Sequence, residues 1–300
     1  MKLSEVTRGM DGTLLADGEF SCIAYATEAK QTEFLSFLER EKFLPALNNP
    51  NISCVLVKPE FADKIPSHIK GVFACSSPKA ALFEIHNALA KEECYVGASF
   101  PTKIGQNCSI SPLAVVPERN VIIGDDVTIE PFVVIRERTT IGSRVIIRAG
   151  AIVGGSTCDY ASKSGSLLGV EDCAAIEISD EVELFERAYI ERSIFPWERT
   201  TIGRGSKIGI NSCIGHGSHV GEYCQIEGRA GCCGHCRIGN HVWMGPCAVI
   251  SNRKVIGDNA RITIGSVVVG NVPAGAVYTG NFAIPHRQFM RNYMISLRKK

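Results

Sequence analysis

His216 has the clearest chemical surroundings in the chain. It sits in CIGHGSHVG, residues 213–221. A neutral imidazole can take a proton from an attacking amine or hydroxyl near neutral pH. Stepping 18 residues back reaches Glu198, and stepping 18 forward reaches Gly234. A carboxylate beside the ring would fix its tautomer and stabilise the imidazolium. A glycine N–H could face the oxyanion that develops on a thioester carbonyl. The expected centre is therefore His216 as base, Glu198 as its orienting group and Gly234 as the oxyanion donor.

The step of 18 comes from the elements that must position these residues. Every sixth residue from Ile202 to Val268 is apolar: Ile202, Ile208, Ile214, Val220, Ile226, Cys232, Ile238, Met244, Ile250, Ile256, Ile262, Val268. The residue after each apolar one is usually glycine, and the residue four after each apolar one is usually small. A period of six fits neither a helix nor an ordinary strand; it is the hexapeptide repeat of a parallel β-helix. Three repeats make one triangular coil, whose inner face is buried only by its neighbours. Glycine suits corners that need positive φ or close backbone approach. On this pattern Cys232 and Cys236 of GCCGHC (231–236) point inward as small buried hydrophobes. With no second half-site beside them, and with His219, His235 and His241 at unfavourable spacing, no metal site is expected.

An earlier ladder runs Ile104, Ile110, Val116, Ile122, slips by one residue, and continues from Ile123 to Val153. Residues 154–175 break it and read as an excursion loop, a common place for function. The ladder resumes at Ile178 and misses at Pro196. The first 100 residues carry no hexapeptides and read as a small α/β domain, including a helix in SPKAALFEIHNALAKE. The expected boundaries are 1–100 for that domain, 101–280 for the coils and 281–300 for a short C-terminal helix or tail. A net charge of +1 gives no bulk attraction to nucleic acid. No apolar run has the length of a membrane span. Thirteen cysteines without a signal-peptide core suit a reduced cytoplasm.

With these residues in hand, the chain resembles the N-acyltransferase family of lipid A biosynthesis, which acylates the 2-amine of a UDP-glucosamine bearing a 3-O-acyl chain. CIAYATEAKQTEFLSFLEREKF resembles the family's uridine-binding domain, with Phe37 and Phe43 at its two base-stacking positions. Read alone, these two aromatics favour core. AYIERSIFPWERTTIGRGSKI resembles its acidic–Arg–Gly segment, with Glu191 and Arg192 matching and Ser193 replacing the glycine. IGHGSHVG resembles the segment of the catalytic histidine, which lands on His216, and the oxyanion glycine lands on Gly234. His235 stands where the family has serine and is placed with the substrate-binding residues. Arg253 replaces a second histidine, and Gly209 and Ile210 replace an Asp-Asn pair.

The resemblance implies a left-handed parallel β-helix, since parallel crossovers are otherwise right-handed. It also implies a homotrimer with active sites between subunits. The expected activity is transfer of an acyl group from a thioester, carried by acyl carrier protein or coenzyme A, to the amine of a UDP-linked amino sugar. No permanently bound cofactor is expected. Two alternatives stand: an acetyl-CoA-dependent nucleotide-sugar acetyltransferase of surface-polysaccharide synthesis, and a non-catalytic nucleotide-sugar-binding β-helix.

Overall fold

The computed structural model describes residues 1–28, 31–163, 165–280 and 283–297. Contacts divide the chain into two units. The first combines Met1–Phe100 with Ser156–Ala175 and Arg192–Glu198; the second holds Pro101–Gly155, Ile176–Glu191 and Arg199–Lys300. The span expected for the coils is thus interrupted twice by segments that belong to the first unit.

Among the described residues of the first unit a five-stranded sheet runs in the order Thr13–Ala16, Gly71–Ala74, Ile52–Val57, Phe34–Leu38, Cys22–Ile23. The edge strand Thr13–Ala16 is antiparallel to its neighbour and the remaining pairs are parallel. The inner strands FLSFL and ISCVLV are mostly apolar runs and are largely buried, as strands covered on both faces require. Helix Pro78–Leu89 buries Ala81, Leu82 and Ile85, the spacing read from sequence. Residues 156–175 are not an open loop. They form an antiparallel hairpin, Tyr160–Lys163 with Ser166–Gly169, held to that helix. Ala161 packs on Ala80 and Phe83, Lys79 Nζ donates to Asp159 at 2.6 Å, and Asn87 bonds the Gly169 carbonyl at 3.0 Å.

The second unit is a left-handed parallel β-helix, whose described residues form three sheets of seven, eight and nine strands. Ile208 stacks on Ile226 and then Met244. Ile214 stacks on Cys232 and then Ile250. All of these side chains are buried. The small inward residues also tie coils together: Ser218 Oγ donates to the Cys233 carbonyl at 3.1 Å and accepts from the Cys236 amide at 3.0 Å. From Ile202 onward the glycines after the aliphatic positions serve close approach and not positive φ. A Cβ on Gly215 would lie 2.5 Å from the Cys233 carbonyl carbon of the next coil. The left-handed corner falls two residues later and is filled mostly by larger residues, among them Asn211, Tyr223, His235, His241 and Arg253, with φ between 52° and 60°.

Two departures from an 18-residue coil shape the site. Ile141 pairs with Ile178, because the hairpin lengthens that turn. Ile190 pairs with Ile214, a step of 24 residues and not 18. The extra six correspond to one repeat length lying in the Arg192–Glu198 excursion, which is why the ladder returns in phase and conceals it. Helix His286–Leu297 closes the described chain, with Phe289, Met290, Tyr293 and Met294 exposed.

Candidate active site

Because the coil before His216 is six residues longer, the residue stacked beneath Gly215 is Glu191, the neighbour of Ile190 in the pair Ile190–Ile214. Gly215 has no side chain to block it, so the Glu191 carboxylate crosses to the histidine. Its Oε2 accepts from the His216 backbone N–H at 3.0 Å and sits 3.0 Å from His216 Nδ1. The Cys213 thiol donates to Oε1 at 3.8 Å. Both partners are largely enclosed, with 17% of the Glu191 side chain and 24% of the His216 side chain exposed. A carboxylate on Nδ1 places the imidazole proton there and leaves the lone pair on Nε2.

Nε2 faces Gly234. A Cβ built on that glycine would lie 2.3 Å from it, so only glycine admits the ring. Gly234 is buried, its carbonyl accepts from the Arg253 amide at 3.0 Å, and its N–H makes no hydrogen bond among the described residues. A base nitrogen and an unengaged amide thus share one corner, as acyl transfer requires.

The remaining expected residues divide between the two units. Glu198 is displaced from the role read from spacing. It is buried at 7% exposure in the first unit, where its carboxylate accepts from Ser193 Oγ and from the Phe195 amide at 3.3 Å. The group at His216 Nδ1 is Glu191, which the 18-residue step could not reach. Arg192 Nη1 donates to the Asp172 carbonyl at 3.3 Å within the first unit. Phe37 is partly buried on that unit's core, its ring 6.3 Å from Tyr25. Phe43 is 51% exposed on the 3-10 segment Glu41–Asn48, with Lys42 Nζ 4.9 Å from its ring centre. The structure does not bring the two phenylalanine rings into contact with each other.

His235 lies over Gly217, where a Cβ would meet its Nδ1 at 2.6 Å, and packs edge-on against His216 with ring centres 5.1 Å apart. Burial first, then the positive charge of Arg253 and the neighbouring His216, Arg237 and His219, push the His235 imidazole down to about 3. It is therefore neutral at physiological pH. His219 Nδ1 lies 2.9 Å from Thr201 Oγ1, and His241 stacks on Tyr223 at 5.5 Å. Among the described residues no group of three or more metal-ligating side chains comes together, and no helix is long and apolar enough to cross a membrane.

Comparison with known proteins bears on the family and the fold. Residues 120–155 match the bacterial transferase hexapeptide (six repeats) family. A UDP-3-O-acylglucosamine N-acyltransferase of Helicobacter hepaticus is 30% identical over 315 aligned positions, covering 97% of this chain and 92% of that protein. The enzyme of the same name from Coxiella burnetii is 25% identical, covering 98% and 92%. Among solved structures, an Arabidopsis UDP-N-acetylglucosamine acyltransferase superposes with a TM-score of 0.51 at 21% identity, covering 64% of this chain and 73% of that one. That likeness speaks for the fold. The relatives' names make the chain an acyltransferase.

Proposed function

Since the chain belongs to the UDP-3-O-acylglucosamine N-acyltransferase family, we propose that it transfers an acyl group from a thioester to the amine of a UDP-linked amino sugar, with His216 as general base. The observation that carries this reading is the pairing of His216 Nδ1 with Glu191 while Nε2 lies against Gly234.

The amine attacks the thioester carbonyl and forms the C–N bond. His216 Nε2 takes the proton the amine gives up, and Glu191 stabilises the imidazolium through Nδ1–H. The Gly234 amide stabilises the oxyanion. When the intermediate collapses, the C–S bond breaks and the imidazolium returns the proton to the leaving thiolate. His235, being neutral, adds no charge that would repel the imidazolium. Phe43 offers an exposed ring on which a uracil can stack. Phe37 supports the core beneath and is the weaker candidate, because its ring is already packed against Tyr25. The working enzyme is a homotrimer, a reading supported by outward-facing apolar residues such as Val249 and Val267.

The test is a mass-spectrometric transfer assay. It crosses UDP-linked amino sugars, with and without a 3-O-acyl chain, against hydroxyacyl carrier protein and acetyl-CoA. Transfer from the carrier protein to the 3-O-acylated sugar is expected. Transfer from acetyl-CoA to the unacylated sugar would instead assign a polysaccharide-type acetyltransferase, and binding of the UDP-sugar without any transfer would sink the catalytic reading.

A further inference from the structure

The Glu191 carboxylate is held at three points. Oε2 receives the backbone N–H and Nδ1 of His216, both at 3.0 Å, and these two contacts alone would let the group pivot about that oxygen. The third contact, at Oε1, is the Cys213 thiol at 3.8 Å, a long hydrogen bond from a weak sulfur donor. Cys213 faces outward on the strand that pairs with Tyr189 below and Gly231 above. It lies in the same coil as His216, three residues before it. The other nearby thiols do not share this place: Cys232 and Cys236 are buried inside the coil, and Cys233 is exposed.

We propose that Cys213 is a positioning residue for the base: its thiol fixes the second oxygen of Glu191 and so holds the carboxylate in the plane that His216 Nδ1 needs. The proposal rests on the reading of His216 and Glu191 as the base pair. Cys213 acts through its contact with Glu191.

A double-mutant cycle on the full-length enzyme tests it. Cys213→Ala is expected to lower kcat by about 3- to 10-fold, the scale of one lost hydrogen bond, with both KM values within about twofold of wild type. Cys213→Ser keeps a donor and should stay closer to wild type. In a Glu191→Ala background Cys213→Ala should cost nothing further. If the cysteine substitution costs as much without Glu191 as with it, raises KM while leaving kcat alone, or has no effect while Glu191→Ala is damaging, the proposal is overturned and the base reading stands. If Glu191→Ala itself leaves kcat unchanged, the base-pair reading falls and the role of Cys213 falls with it.

Discussion

Gly234 and His235 make the residue-scale account most exposed to test. A methyl group on Gly234 would lie 2.3 Å from His216 Nε2, so the ring must leave its place or the corner must shift. Gly234→Ala should therefore lower kcat by more than about tenfold while the folded coil persists, as circular dichroism and steady-state kinetics can show together. His235 gives a pH prediction. Its folded pKa is near 3 against an ordinary value of 6.5, so between these values the unfolded chain binds the extra proton. Stability from this group is complete above pH 6.5 and declines as the pH falls toward 3. His86, buried and also shifted down by desolvation, acts with the same sign. His235→Asn, which tolerates the left-handed corner, should flatten but not abolish the acid-side fall in thermal midpoint. An unchanged slope would show that His235 is not held neutral by its surroundings. Among these residues His216 and Gly234 were legible in sequence because they are joined by a regular 18-residue step. Glu191 was legible only as a family position, and its partner could not be named, because the excursion between Glu191 and His216 adds one repeat length and leaves the phase unbroken.

At the scale of elements, the coil is a stack whose rungs bury one another, and each rung can be weakened singly. Ile226 is 2% exposed and lies between Ile208 and Met244. Ile226→Ala should cost about 2–5 kcal/mol in urea unfolding, since neighbouring coils cannot collapse into the gap without breaking their own register. A cost near zero would mean the column is looser than the pairing shows. Sequence revealed the ladder because inward residues recur at a fixed period. It left two reasons open for the glycines, since the short consensus does not distinguish a close approach from a positive φ, and the structure shows the close approach. It also read residues 154–175 as a loop. The strands there are short, and their apolar contacts lie on helix Pro78–Leu89, some 80 positions away, where no local pattern can point.

For the molecule as a whole, repeat stacking supplies a rigid edge on which His216, Glu191 and Gly234 are set by backbone register and not by a mobile loop. The fold class was readable from the sixfold period, whereas the two returns of chain to the first unit depend on contacts that no periodicity encodes. Outward apolar residues and the exposed face of helix His286–Leu297 fit a homotrimer. Light scattering after size exclusion should give three times the 32.5 kDa chain mass, and a monomeric mass would remove that part of the account.

In the proposed transfer His216 moves the proton. The most direct measurement is the single-turnover acyl-transfer rate of His216→Ala beside wild type, with UDP-sugar affinity followed in parallel. A fall of about 10²- to 10⁴-fold with affinity unchanged is predicted for loss of a general base. A rate within twofold of wild type would contradict it and require a different group to take the proton.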